Sequence, residues 1–152
     1  MSQSKEMQEA NKELMRCNSY TRLECFLGMA ELLPPCNSLQ LLNEHWSGFD
    51  NIYEFSSEIM SYFESYCTKD IRDNFMSDEE KIEYNKLPEI VTIYRGCSAV
   101  NMIGFSWSLS FDIAESFINL NRYRPPMNIP GTIVSSKINK SEILAIKNDR
   151  EE

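Results

Sequence analysis

The sequence predicts an α+β protein, helical first and β-rich afterwards. Three observations predict it. Through the first 88 residues, apolar side chains recur at spacings of about three and four. The texture then changes at Pro88. The stretch that follows, EIVTIYRG, is rich in β-branched and aromatic residues. The expected division is an acidic helical segment, 1–88, and a β-rich core, 89–152, packed together as one compact domain.

Leu14 to Leu33 reads as the first helix, with Leu14, Cys17, Leu23, Phe26, Leu27 and Ala30 along one stripe. Pro34-Pro35 stops it. Asn37-Ser38 offers N-caps for a helix around Leu39–Trp46, ending near Gly48. Asp50 or Asn51 can cap a third, with Ile52, Phe55, Ile59, Tyr62, Phe63 and Tyr66 on one face. A fourth spans Ile71 to Tyr84. Ser77 followed three residues later by Glu80 is a capping-box pattern that divides it in two.

Beyond Pro88 the pattern predicts a strand from Ile90 to Tyr94. GFSWSLS alternates Phe105, Trp107 and Leu109 against Ser106, Ser108 and Ser110, which predicts a second strand with an apolar and a hydroxyl face. FDIAESFINL reads as a helix and NRYRPPMNIPG as a loop. TIVSSKI and EILAI read as two closing strands.

Composition bounds the function. At 152 residues, 42% hydrophobic and 25% charged, the chain suits one globular domain with an ordinary core. No apolar run approaches the roughly 20 residues of a membrane span, and the N-terminal MSQSKEMQEANKEL has no signal-peptide core. A cytoplasmic protein, of the producing or a host cell, is expected. The five cysteines are odd in number and show no C-x-x-C pair, so they are expected as reduced thiols, several filling core. A lone histidine, His45 beside Trp46, suits a packed or surface imidazole better than a ligand, and no metal site is expected. Residues 1–89 hold 17 acids against 8 bases, and residues 90–152 hold 6 against 7. The acidic half repels nucleic-acid backbones, while the near-neutral half can hold a small anion.

The residues that need explaining lie in IYRGCSAVNMIGFSWSLS, Ile93 to Ser110. Arg95 ends the predicted strand beside Gly96. A strand-end guanidinium next to a glycine can present its planar fork to a phosphate or carboxylate, with the backbone allowed close. The Ser106–Ser110 face offers hydroxyls for a sugar, a carboxamide or another side chain. No histidine lies near it, and neither a G-x-S-x-G elbow nor a glycine-rich phosphate loop is present, so a Ser-His-Asp hydrolase and a P-loop enzyme are poorly supported.

Taken together, Tyr-Arg-Gly, Gly-Phe-Ser-Trp-Ser, a helix with Ala-x-x-Phe, a strand opening Gly-Thr-Ile-Val, and a final EILAIKNDREE resemble the arginine–serine–glutamate class of ADP-ribosyltransferases. The resemblance runs from about Ile90 to Glu152 and is to small bacterial and bacteriophage mono-ADP-ribosyltransferases. It implies a helical segment packed on a small split, mixed or antiparallel β-sheet core. It also implies NAD as co-substrate and transfer of ADP-ribose to a protein acceptor with release of nicotinamide.

Residue by residue, the resemblance makes Arg95 the arginine that binds the NAD phosphates and ribose, with Tyr94 beside it. Gly96 sets its backbone against the nicotinamide amide. Ser106 supports the nicotinamide ribose and orients a glutamate. Trp107 and Ser108 complete the Ser-x-Ser motif at the NAD cleft, and Ala114 and Phe117 match the helix motif, Phe117 packing beneath the cleft. Two registers are open for the glutamate. Glu151 or Glu152 is itself catalytic, or Arg150 opens an Arg-x-Glu-x-Glu motif that makes Glu152 its first acid and puts the catalytic one two residues further on. The chemistry depends on that carboxylate, which stabilises an oxocarbenium-like state when the nicotinamide–ribose bond breaks.

Two other readings stay open. One is a catalytically silent relative, an interaction or inhibitor protein working through its acidic helical surface. The other is an unrelated α+β binding domain.

Overall fold

The computed structural model describes residues 4–99, 102–119 and 129–148. It is α+β, with seven α-helices and a two-stranded antiparallel sheet among the described residues. No described helix is long and apolar enough to cross a membrane. The chain divides into two compact units, Met1–Lys81 and Ile82–Glu152.

The first unit is helical. α1 spans Lys5–Arg16, and the Ser4 side chain accepts a hydrogen bond from the Met7 N–H at its start. α2 spans Arg22–Ala30. The sequence predicts one continuous helix here, but Cys17 takes extended backbone, φ −78° and ψ 145°. The Asn18 side-chain amide oxygen, Oδ1, then accepts from the N–H groups of Tyr20 and Thr21, at 2.9 and 3.1 Å, and turns the chain. Arg22 secures that turn. Its Nε donates to the Leu14 carbonyl and its Nη2 to the Cys17 carbonyl, satisfying acceptors that the end of α1 leaves open.

α3 spans Pro35–His45 and continues as a 3-10 turn over Trp46–Gly48. The predicted caps Asn37 and Ser38 lie inside this helix. Pro34 occupies the cap and Pro35 the first helical position, where a missing N–H is harmless. A 3-10 turn over Ile52–Phe55 leads into α4, Ser56–Glu64. α5, Thr68–Phe75, and α6, Asp78–Lys86, are separated where the sequence places a capping box. The Glu80 N–H donates to Ser77 Oγ at 3.2 Å, and the Ser77 N–H donates to Glu80 Oε2 at 2.8 Å.

Aromatic rings fill this unit. Phe26 meets Tyr62 edge-on at 5.4 Å between centroids, and Trp46 meets Phe75 edge-on at 5.3 Å. Such contacts add to the area that large rings bury. The fully buried Ser38 pairs its hydroxyl with the Tyr62 phenol at 2.7 Å. Burial holds that phenol protonated well above its ordinary range. His45 is likewise packed, with Nε2 2.7 Å from the Asn11 amide oxygen.

The second unit holds the sheet. β1, Ile90–Cys97, pairs antiparallel with β2, Thr132–Asn139, in the register Ile90 to Asn139 through Cys97 to Thr132. α7, Phe111–Asn119, packs on β1. The predicted β-rich half is therefore β, α, β among the described residues. The expected EILAI strand is not one. Asn139 and Glu142 form a capping box on a 3-10 turn over Lys140–Glu142, and irregular backbone follows. Lys140 fastens that turn. Its ammonium donates to the carbonyls of Asn85 and Leu87 and lies 5.0 Å from the Tyr84 ring centroid, while Tyr84 Oη donates to the Lys140 carbonyl.

Candidate functional site

The site is built on β1. The sequence predicts the strand's end at Tyr94, but its ladder continues to Cys97, so Arg95 sits within it. Alternation places Arg95 on the face of Val91, Ile93 and Cys97, all three buried. Tyr94 and Gly96 lie on the opposite face.

Beside β1 runs the segment predicted as the second strand. It makes one antiparallel bridge, with Tyr94 and Ser108 exchanging N–H to carbonyl bonds of 2.8 and 2.7 Å. Beyond that bridge the backbone is irregular. Two side chains account for the departure. The Trp107 indole N–H folds back to donate to the Gly104 carbonyl at 2.9 Å. The Arg95 guanidinium lies against Gly104, where a Cβ would come within 2.5 Å of Nη2. The alternation also runs opposite to the expected one at its inner end, since Ser108 is buried and Leu109 is exposed.

These contacts join the two motifs. Arg95 Nη1 donates to the Ser106 carbonyl at 2.5 Å, a bond spanning eleven positions of the sequence. The guanidinium thus lies on the loop that carries the Ser106 hydroxyl, and both residues are half-buried. Its charge also reaches Cys97. Burial pushes that thiol up, and Arg95 opposes the shift.

Ser108 works inward. Its Oγ accepts from the Ser110 N–H at 3.0 Å, and Ser110 Oγ accepts from the Ile113 N–H at 3.5 Å at the start of α7. The serines therefore lead the loop into the helix, as the N-cap preferences of serine favour. Tyr94 meets Phe111 edge-on at 5.8 Å between centroids.

Gly96 has a packing role that sequence reasoning missed. A Cβ there would come 1.9 Å from the carbonyl oxygen of Ala114, which is fully buried on α7. Gly131 repeats the device, with Ile118 2.0 Å from its would-be Cβ. Both glycines let α7 approach the sheet. A Gly-x-x-x pattern carries no such signal by itself, because the partner lies about twenty residues away in sequence. Phe117 is half-buried on the same helix.

The structure thus brings Tyr94, Arg95, Ser106, Trp107 and Ser108 into one neighbourhood. Glu151 and Glu152 lie outside the described residues. A half-buried cationic fork resting on the loop that carries Ser106 suits an anionic ligand such as a phosphate. Among the described residues no group of three or more His, Cys, Asp and Glu side chains could hold a metal ion. No family model, curated protein or solved structure matches the chain.

Proposed function

We propose that the protein is a mono-ADP-ribosyltransferase that moves ADP-ribose from NAD to a protein acceptor and releases nicotinamide. One observation carries the reading: Arg95 and Ser106, the arginine and serine of the resemblance, are held together by the Arg95 bond to the Ser106 carbonyl.

In this reading Arg95 binds the NAD phosphates, and the Ser106 hydroxyl supports the ribose and orients a carboxylate from the Glu151–Glu152 end. Breaking the nicotinamide–ribose bond builds positive charge on the sugar, and a fixed carboxylate stabilises it.

Charge favours a second reading, a silent relative acting as an interaction protein. Met1–Lys81 holds 15 acids against 7 bases, while Ile82–Glu152 is balanced at 8 and 8. A surface so acidic suits a basic protein partner.

Labelled NAD separates the two. The protein is incubated with NAD carrying label in its ADP-ribose and with a host-cell lysate, and both labelled protein and free nicotinamide are measured. The transferase reading expects labelled bands that disappear with Arg95→Ala. Neither labelled protein nor free nicotinamide sinks the transferase reading and leaves the silent one, which rests on charge.

A further inference from the structure

We propose that Cys17 and Cys25 form a redox modification site, closing to an intramolecular disulfide when the protein meets a hydroperoxide. The two sulfurs lie 2.8 Å apart, about 0.8 Å farther than a disulfide bond requires. The sequence suggests core-filling thiols, but of the five cysteines only Cys97 is buried. Cys36 and Cys67 are exposed, whereas Cys17 and Cys25 are half-buried and face each other. A small oxidant can reach this pair, and each sulfur already has its partner in place.

Local structure explains why they meet. Cys17 caps the end of α1 in extended backbone, and Cys25 lies in the first turns of α2. The Asn18 turn folds one helix end onto the other, and Arg22 clamps it by donating to the Leu14 and Cys17 carbonyls. The pair is therefore held by contacts that do not depend on the sulfurs. The Cys17 hydrogen bond, then burial, push the Cys25 thiol up to about 11, so Cys25 keeps its proton at neutral pH.

The chemistry balances. A Cys17 thiolate attacks one oxygen of the hydroperoxide. The O–O bond breaks, the alkoxide or hydroxide that leaves takes up the proton Cys17 released on ionising, giving an alcohol or water, and Cys17 becomes a sulfenic acid. The Cys25 sulfur then attacks Cys17, the S–O bond breaks, and water leaves with the Cys25 proton. Sulfur loses two electrons and the peroxide gains them. A dithiol reductant reverses the step by exchange and is itself oxidised. In a reducing compartment, disulfides of this kind are transient and redox-sensing.

The test treats the full chain with a small excess of hydrogen peroxide and blocks remaining thiols with a maleimide under denaturing conditions. Peptides from combined digestion with trypsin and a glutamate-specific protease are then mapped without reduction. Cleavage after Arg16, Arg22, Glu24, Glu31, Glu44 and Glu64 places Cys17, Cys25, Cys36 and Cys67 in separate peptides, so the bond appears as a linked pair of the Cys17 and Cys25 peptides lighter by two hydrogens. A dithiol should restore both thiols. Cys17→Ser and Cys25→Ser should each abolish the linked pair and leave Cys36, Cys67 and Cys97 labelled as in wild type. Labelled Cys17 and Cys25 after peroxide, a bond from either to Cys36 or Cys67, or a sulfinic acid in place of the bond overturns the proposal.

Discussion

At the residue scale, the glycines separate packing from conformation. Gly96 is excluded from any larger side chain by backbone, the Ala114 carbonyl, which cannot swing aside as a side-chain tip can. Gly96→Ala should therefore destabilise the protein by about 2 kcal/mol or more, the range of an overpacked core. Gly28, inside α2, has nothing within 4 Å of its would-be Cβ. Gly28→Ala should stabilise by roughly 0.5–1 kcal/mol through helix propensity and the unfolded chain. Urea denaturation reads both, and a Gly96→Ala midpoint at or above wild type would remove the close approach of α7 from the account.

His45 gives the same scale a pH test. Its imidazole is buried, and burial, followed by the nearby Arg22 charge, lowers its pKa. Nε2–H donates to the Asn11 amide oxygen, whose own amide nitrogen donates to Glu44. A histidine with its folded pKa below the unfolded value of about 6.5 binds a proton more readily in the unfolded chain. Stability is therefore full above about pH 6.5 and falls as the pH drops through that value, before the carboxylates titrate near pH 4. With one histidine in the chain, that window belongs to His45. The urea midpoint should drop between about pH 7.5 and pH 5.5 in wild type and stay flatter in His45→Gln. Parallel profiles would show that the proton is accommodated in the folded state.

At the scale of elements, local signals carried through where a few adjacent residues settle the outcome. Ser77 and Glu80 complete a reciprocal cap within four residues, so the separation of α5 from α6 is readable in sequence. Ser77→Ala should cost about 1 kcal/mol in denaturation, and a change under about 0.3 kcal/mol would mean the cap is redundant. Where the outcome depends on a distant partner, pattern misleads. Leu14, Cys17, Leu23 and Phe26 keep a helical spacing across a turn that Asn18 and Arg22 impose. GFSWSLS alternates like a strand, yet Arg95 and the Trp107 indole draw its backbone into a loop with one bridge to β1. The order of motifs singles out Arg95 and Ser106, but the bond from the Arg95 guanidinium to the Ser106 carbonyl depends on how the loop folds back on β1. The exclusion of a side chain at Gly96 is not legible in the sequence, because Ala114 reaches it only once α7 has docked.

At the scale of the whole molecule, charge and site chemistry are divided along the chain. The acidic excess lies in Met1–Lys81, and the Arg95 neighbourhood lies in the balanced Ile82–Glu152 unit. On the proposed reading, an anionic dinucleotide would meet a guanidinium there without a field of like charge in the same unit. Electrostatic recognition of this kind weakens with salt, as screening shortens the reach of exposed charges. Calorimetric titration of NAD into wild type and Arg95→Ala tests the central claim most directly, with Gly28→Ala, in the Met1–Lys81 unit, as the control. Wild type and Gly28→Ala should bind NAD alike, and Arg95→Ala should bind at least about tenfold more weakly, the loss of one charge-assisted contact to phosphate. Equal affinity in Arg95→Ala, or no heat of binding in wild type, would contradict it.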